Sequence, residues 1–336
     1  MRLPLQGGLP PLDAIAGPVV EIACDESGFS GSNLLDPVTP VITHASVDLR
    51  VDESVELITA LRSGFRWSLN EVKSGQFLRS PSGGEALEWF LAALTGRAHV
   101  HLVDKEYFLV TRIVDLFLAE PSYAAGTRLT QDHRPAALAV YRAGRSAGPD
   151  WDAFLAAFVE LVRIKRRHGP EPRSSERFFA ARDALVRGGL GAQAEDVLDG
   201  LSRPRVFGVL TGLANDDPSI PPPLEPMLPA LAETVLFWSG GQRRVLVIHD
   251  EQSALTAGRL RRLQQVLTDG AGPSAAGASP ATVSPLAGLV TVDSRDDPRV
   301  QVADLLAGVA RRLPRTGNDA PLRSFLSPTS LRDPER

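Results

Sequence analysis

The sequence predicts an α/β fold in which helices flank a sheet and a helical insert divides the sheet-forming part of the chain. Short apolar runs alternate with amphipathic segments near both ends of the chain, which is typical of strands separated by helices. In the middle, at 121–222, the pattern predicts helices alone. A length of 336 residues suits one large domain with an insert better than several independent domains.

The first half of the sheet is predicted at 18–120, after an irregular lead-in at 1–17. An apolar run predicts a strand at 19–24, and the Asp-Glu-Ser-Gly sequence that follows predicts a turn. The other predicted elements of this half are strands at 41–49 and 98–103 and helices at 52–64, 85–96 and 107–120.

The insert and the second half of the sheet follow in order. Within 121–222, helices are predicted at 151–169 and 176–189, VFGVL at 206–210 stays ambiguous, and a Pro-rich joint at 218–226 ends the insert. The second half, at 223–313, contains predicted helices at 229–240, 254–270 and 298–313 and predicted strands at 243–250 and 286–293. Low-complexity residues 271–285 and a tail at 314–336 are predicted to be flexible.

Composition and charge exclude several classes of protein. The values of 43% hydrophobic and 23% charged residues exclude wholesale disorder, and no run of apolar residues is long enough for a membrane span. The first residues lack the pattern of a secretory signal, and Cys24 is the only cysteine, so we expect a cytoplasmic protein. A net charge of −4 argues against a dedicated duplex-DNA-binding module, but it is compatible with an enzyme that contacts nucleic acid briefly.

Acidic residues follow three of the predicted strands. Asp25, Asp104 and Asp250 each stand at a strand's carboxyl end, where ligands bind in open α/β sheets. Carboxylates held close together repel one another unless a cation joins them, and a cysteine-free oxygen site suits Mg²⁺ or Mn²⁺. The alternative stays open, because aspartate is also common in the turns that end strands.

The helix predicted at 298–313 carries a narrow polar stripe opposite its apolar face. Gln301, Asp304, Gly308 and Arg311 form this stripe. The stripe either faces water or lines a cleft, in which case Gly308 would allow a close approach by another segment.

Lysines and histidines give weaker signals. Lysine is rare, with three residues in the chain, and Lys73 and Lys105 lie beside candidate acids, where each could hold a phosphate or form an ordinary ion pair. His249 is interpreted as a packed side chain. His99 and His101 share one strand face, but the sequence offers no third ligand for a metal there.

Five segments together resemble the bacterial domain of unknown function 3800 family, over about residues 20–312. The family pattern is a DESG opening, an ELK-like triplet, a DE pair after a later strand and a QxADL closing helix. The matching segments here are Asp25-Glu26-Ser27-Gly28, Glu71-Val72-Lys73, Val103-Asp104-Lys105, Asp250-Glu251-Gln252-Ser253 and Gln301-Val302-Ala303-Asp304-Leu305. The chain departs from the pattern in having EVK for ELK and a long loop after the opening motif.

The resemblance implies a ribonuclease-H-like fold and a metal-dependent nuclease that hydrolyses phosphodiester bonds in DNA or RNA. It implies Asp25, Asp250 and Asp304 as ligands of Mg²⁺ or Mn²⁺, which would activate water and stabilise the departing oxygen. Asp104 would be a fourth acid or merely a strand-end residue. The remaining implied site residues are Glu26 and Glu71, as ligands or bases, and Lys73, which would steady the scissile phosphate.

Two other classes remain open from the sequence. The first is a non-catalytic module that binds nucleic acid or protein in a bacterial defence or mobile-element system. The second is a phosphatase of the haloacid-dehalogenase type, which also begins with an aspartate after its first strand. That class requires a second acid two residues later, where this chain has Ser27, so it is the weaker alternative.

Overall fold

A five-stranded mixed sheet lies at the centre of the fold. The computed structural model describes residues 7–11, 17–29, 33–64, 74–79, 82–163, 172–270, 283–313 and 320–335. The strands are β1 (Val19–Ser27), β2 (Val41–Val47), β3 (Ala98–Asp104), β4 (Arg244–Asp250) and β5 (Leu286–Val292), in the spatial order β3-β2-β1-β4-β5. Central strand β1 pairs antiparallel with β2 and parallel with β4, which pairs parallel with β5. The prediction of an α/β fold with a mixed sheet flanked by helices is confirmed.

Helices occupy most of the rest of the described chain. In chain order they are α1 (Val51–Gly64), α2 (Ser74–Phe77), α3 (Gly83–Ala93), α4 (Lys105–Phe117), α5 (Arg134–Gly144), α6 (Pro149–Val162), α7 (Pro172–Arg187), α8 (Ala192–Asp199), α9 (Arg203–Ala214), α10 (Met227–Ser239), α11 (Ala257–Gly270) and α12 (Pro298–Arg312). The ambiguous VFGVL segment belongs to α9. Within the described ranges, every helix is too short or too polar to cross a membrane.

The chain forms two compact units. The first comprises Met1–Phe29, Val41–Leu102 and Ala230–Ser330, and the second comprises Ser30–Pro40, Val103–Pro229 and Leu331–Arg336. The sequence placed the start of the insert at 121, whereas the second unit already includes α4. The physical reason is aromatic packing, because Phe117 at the end of α4 contacts Phe158 of α6 and Phe178 of α7.

The core of the first unit lies between the sheet and α12. Pro298 and the Asp297 cap, whose side chain accepts a hydrogen bond from Arg299 N, begin this helix. Its apolar face is buried against Ala23 of β1 and Ala45 of β2. Thr43 Oγ1 donates a 2.7 Å hydrogen bond to Ala307 O, which fixes the helix over β2.

Residues 320–335 continue past α12, where the sequence predicts a flexible tail. Part of this segment lies along β3, since Val100 N donates to Phe325 O at 2.8 Å and Ser327 N donates to Val100 O at 2.7 Å. In the second unit, Asp104 N donates to Leu331 O, and Arg142 forms a two-pronged ion pair with Asp333. Residues 320–335 are thus tied down by backbone and side-chain bonds.

Candidate functional site

The opening motif lies inside the central strand rather than after it. Strand β1 continues to Ser27, because the backbone from Ala23 to Ser27 pairs with Val47 to Thr43 of β2. The predicted turn directly after Cys24 is therefore wrong. Since side chains alternate along a strand, Asp25 leaves β1 on the side of Ala23 and α12 and Glu26 leaves it on the other side, yet their carboxyls lie within hydrogen-bonding reach of each other near the end of the strand.

Asp250 ends the neighbouring strand at the same level. The register of β1 against β4 ends with the pair Cys24 and His249, so Asp25 and Asp250 follow the last paired residues side by side. Asp250 Oδ1 accepts a 3.0 Å hydrogen bond from Ser294 N, in the loop between β5 and α12. This bond orients the Asp250 carboxylate.

Asp304, on α12, is the third acid. Its negative charge acts on the Asp25 carboxyl together with the charge of Asp250. Asp25 is only 6% exposed. Burial, together with the negative charges of Glu26, Asp304 and Asp250, raises the pKa of Asp25 to about 9, and a hydrogen bond from Glu26 N opposes the rise. The structure therefore brings together Asp25, Glu26, Asp250 and Asp304, which we call the carboxyl cluster.

Glu26 is held by groups that the sequence did not single out. Buried Gln252 donates from Nε2 to Glu26 Oε1 at 2.7 Å. Burial raises the pKa of Glu26, the charge of His249 lowers it, the charge of Asp250 raises it, and a hydrogen bond with the Asp25 carboxyl lowers it. Gln252 thus fixes one carboxyl oxygen of the cluster.

The donor set of the cluster suits a hard divalent cation, but its arrangement is not that of a closed metal site. All its donors are carboxyl oxygens, and a buried carboxyl among like charges is what a cation would stabilise. Within the described part of the chain, however, no group of three His, Cys, Asp or Glu side chains is arranged to hold a metal ion. Oxygens of Asp25, Glu26 and Asp250 accept bonds from protein donors instead. The acids are close enough to raise the pKa of Asp25, but they do not converge on one point.

Asp104 belongs to the second unit and has a structural role there. Its Oδ1 caps α4 by accepting from Tyr107 N at 2.9 Å, and its Oδ2 accepts from Tyr141 Oη at 2.9 Å. The neighbouring Lys105 is 2% exposed and donates from Nζ to Thr39 Oγ1, so its side chain is not at the surface, where the interpretation as an ordinary surface ion pair placed it.

Glu71 and Lys73 lie outside the described residues, and their predicted roles stay predictions. The next residue along the chain, Ser74, packs against α12. A Cβ on Gly308 would lie 2.1 Å from Ser74 Oγ, so this position requires glycine for a close approach. The predicted close approach at Gly308 is confirmed.

The polar stripe of α12 contacts the opening motif at a second point. Half-buried Arg311 donates from Nε to Ser27 Oγ at 2.9 Å. Haloacid-dehalogenase-type phosphatases have a second acid at the position of Ser27. Here the Ser27 hydroxyl accepts a hydrogen bond from the guanidinium group of Arg311.

Buried histidines occupy the other side of the sheet. His44 Nε2 lies 3.2 Å from His249 Nε2, and His44 Nδ1 lies 3.0 Å from Thr234 Oγ1. Burial lowers the pKa of His44 well below its usual value, and the charges of three other histidines lower it further. His99 stacks on Phe237 with ring centroids 3.9 Å apart. His249 is thus packed, as predicted from the sequence.

Three features were not predicted from the sequence: Gln252, the His44–His249 pair and the Ser27–Arg311 bond. Gln252 belongs to the segment Asp250-Glu251-Gln252-Ser253, and its place in this segment is the one feature of the sequence that points to it. The other two contacts join residues more than 200 positions apart, so a pattern within one segment does not reveal them.

Comparison with protein-family models, curated proteins and solved structures finds no match for this chain. The resemblance to the domain of unknown function 3800 family, and the ribonuclease-H-like fold that it implies, therefore stay predictions from the motifs.

Proposed function

We propose that the chain is a divalent-metal-dependent hydrolase that cleaves phosphodiester bonds in DNA or RNA. One observation carries the proposal. Asp25 is buried in the central strand, and burial together with the charges of Glu26, Asp304 and Asp250 raises its pKa to about 9. Three separate parts of the chain supply these acids, and their mutual repulsion destabilises the ionised cluster unless a cation binds, which is typical of functional sites.

The proposed ligands are Asp25, Asp250 and Asp304, which would hold Mg²⁺ or Mn²⁺. When bound, the cation would polarise the phosphodiester and lower the pKa of a water molecule. Because the described side chains do not converge, we expect the Asp25 carboxyl to lose its proton and the cluster to reorient when a cation binds. The ribonuclease-H-like relation belongs to the same proposal.

Glu26 is proposed as the base that takes a proton from the attacking water. Its raised pKa makes it a better proton acceptor than an exposed glutamate, and the Gln252 amide keeps its carboxyl in place. Water would lose a proton to Glu26 and add to phosphorus, the bond to the leaving oxygen would break, and that oxygen would take a proton from solvent, so the products would be a phosphate monoester and a hydroxyl group. Glu71 and Lys73 remain proposed as a further acid and as a phosphate contact.

The test is a cleavage screen of the purified full chain. Labelled single- and double-stranded DNA and RNA are incubated with Mg²⁺, Mn²⁺ or EDTA. We expect metal-dependent cleavage, which Asp25→Asn and Asp304→Asn each reduce by roughly 100-fold or more, because a metal ligand contributes several kcal/mol and about 1.4 kcal/mol is a factor of ten. Asp52→Asn, the same change at an exposed position of α1, is the matched control and should keep full activity.

Each outcome decides between the candidate functions. Cleavage that survives both cluster substitutions would refute the assignment of these acids. Binding without cleavage under every metal condition would favour the second candidate, a non-catalytic nucleic-acid-binding module, which the lack of convergence among the described acids also favours.

A further inference from the structure

A cavity lies in the second unit, between the N-terminal halves of α7 and α9. Its volume of about 550 Å³ is within the range of sites that hold small organic molecules. It is lined, among others, by Glu176 and Phe179 of α7 and by Arg203, Phe207 and Gly208 of α9. All these residues belong to the second unit, whereas the carboxyl cluster belongs to the first.

Two aromatic rings line the cavity and differ in exposure. Phe179 is 2% exposed, and the guanidinium group of Arg203 lies over its ring, 4.6 Å from the centroid. Phe207 is 55% exposed, although covering such a ring with apolar atoms would be favourable. Phe207 therefore offers the cavity an aromatic surface that a ligand would remove from water.

The charged side chains of the wall are matched to each other. Arg203 Nη1 donates to Glu176 Oε1 at 2.6 Å, and Arg203 Nη2 donates to Glu176 Oε2 at 3.3 Å. Because each charge already has a counter-ion, a charged ligand would lose hydration without gaining an ion pair from this wall. The wall therefore complements an uncharged molecule.

Gly208 leaves part of the wall open. Glycine weakens the middle of a helix relative to alanine, so a close approach often accounts for it. Gly212 of the same helix has such a reason, because a Cβ there would lie 2.6 Å from Ile220 Cδ1. A Cβ on Gly208 would meet no described atom within 4 Å. Packing does not require glycine at 208, and its missing side chain leaves room for a ligand.

We propose that the cavity between α7 and α9 binds a small, uncharged molecule with a planar aromatic ring system. The ring would stack against Phe207 and against the Arg203–Phe179 pair, since phenyl rings and guanidinium groups both present flat faces. This site and the proposed hydrolase belong to different units, and neither proposal depends on the other.

The test is a ligand-observed NMR titration of the full chain with two matched probes. 2-Naphthol is planar and aromatic, and decahydro-2-naphthol has the same carbon skeleton and hydroxyl group without the aromatic rings. Both are uncharged at pH 7. We expect a dissociation constant of about 1 mM or lower for 2-naphthol. Decahydro-2-naphthol should bind about fivefold more weakly, because aromatic contacts contribute a factor of about two to ten.

Substitutions in α9 locate the bound probe. Gly208→Phe should weaken 2-naphthol binding about tenfold or more, because the new ring would occupy the place of the ligand. Phe207→Ala removes an exposed ring, so it should leave the fold intact and weaken binding about fivefold. Gly258→Phe, in α11, is the matched control. A Cβ on Gly258 also meets no described atom within 4 Å, and Gly258 does not line the cavity, so binding should stay within about twofold of wild type.

Several outcomes would overturn the proposal. These are no binding of 2-naphthol by the wild-type chain, equal losses in Gly208→Phe and Gly258→Phe, and binding that survives both Gly208→Phe and Phe207→Ala. Equal affinity for the two probes would overturn the aromatic class of the ligand. Cleavage of nucleic acid plays no part in these measurements, so failure of the proposed hydrolase would leave the result for this cavity unchanged.

Discussion

Each unit of the molecule buries an aspartate, and the two aspartates differ in the charges around them. In the second unit, Asp115 on α4 is 3% exposed and lies 4.0 Å from Arg112, which is 2% exposed. Burial raises the pKa of Asp115 to about 6, and the charges of Arg112, His133 and Arg134 limit the rise. In the first unit, Asp25 has acids as its charged neighbours, and its pKa rises to about 9.

A nearby cation offsets the buried charge of Asp115, whereas the charges that act on Asp25 come from other acids. Arg112 lies beside Asp115 on the same helix and also packs over the Phe108 ring, 5.2 Å from its centroid. The neighbours of Asp25 raise the free energy of its charged form instead. Uncompensated burial of this kind is common at functional sites, and it leads us to place the function in the first unit.

The largest expected effect comes from removing the compensation in the second unit. Arg112→Met leaves Asp115 buried without its nearest cation, and we expect a loss of about 3–5 kcal/mol in the free energy of unfolding, because breaking a buried ion pair strands the remaining charge. Urea denaturation at pH 7 measures this. Arg50→Met, at an exposed ion pair with Asp52, should cost at most about 1 kcal/mol. A change below that level in Arg112→Met would mean that the pair is not compensating.

A smaller effect should follow when a divalent cation binds the carboxyl cluster of the first unit and offsets its negative charge. Mn²⁺ at one hundred times its dissociation constant should stabilise the wild-type fold by about 2.7 kcal/mol through mass action. Thermal unfolding with and without Mn²⁺ measures the gain. Asp25→Asn and Asp304→Asn should abolish it, whereas Asp52→Asn should keep it. Equal shifts in all four proteins would indicate that Mn²⁺ binds elsewhere.

The smallest effect is a gain of stability when Asp25 loses its charge. Its pKa is higher in the folded chain than in the unfolded chain, so the folded state binds the proton more tightly. The resulting destabilisation is absent below about pH 4 and grows as the pH rises towards about 9. Without metal, Asp25→Asn should therefore unfold like wild type near pH 4 and be more stable than wild type at pH 8. A variant less stable than wild type at pH 8 would contradict the uncompensated burial of Asp25.

Local patterns in the sequence predicted much of the fold and part of the site. The apolar run at 19–24 identified the central strand, and the helical wheel at 298–313 set Asp304 and Arg311 apart from the buried face, although Gly308 of the same stripe is buried. Both signals are periodicities within one segment, and the burial of apolar side chains enforces them.

The missed features depend on where distant segments meet. The end of β1 depends on how far β2 pairs with it, so the turn chemistry of Asp25 and Ser27 gave way to backbone pairing. Asp104 fits the strand-end pattern as well as Asp250 does, but its cap of α4 and its bond with Tyr141 depend on helices of the second unit. A spacing rule cannot separate two aspartates whose local surroundings are so similar.

The pairing of the central strand also sets an order of events during synthesis of the chain. About 225 residues separate Cys24 from its partner His249, whereas the segment from Val103 to Pro229 is continuous. At ribosomal rates of about 5–20 residues per second, β1 waits roughly 10–45 s for β4 to emerge. During that wait its apolar edge is open to association with other chains, so we expect the nascent protein to depend on chaperones in that interval.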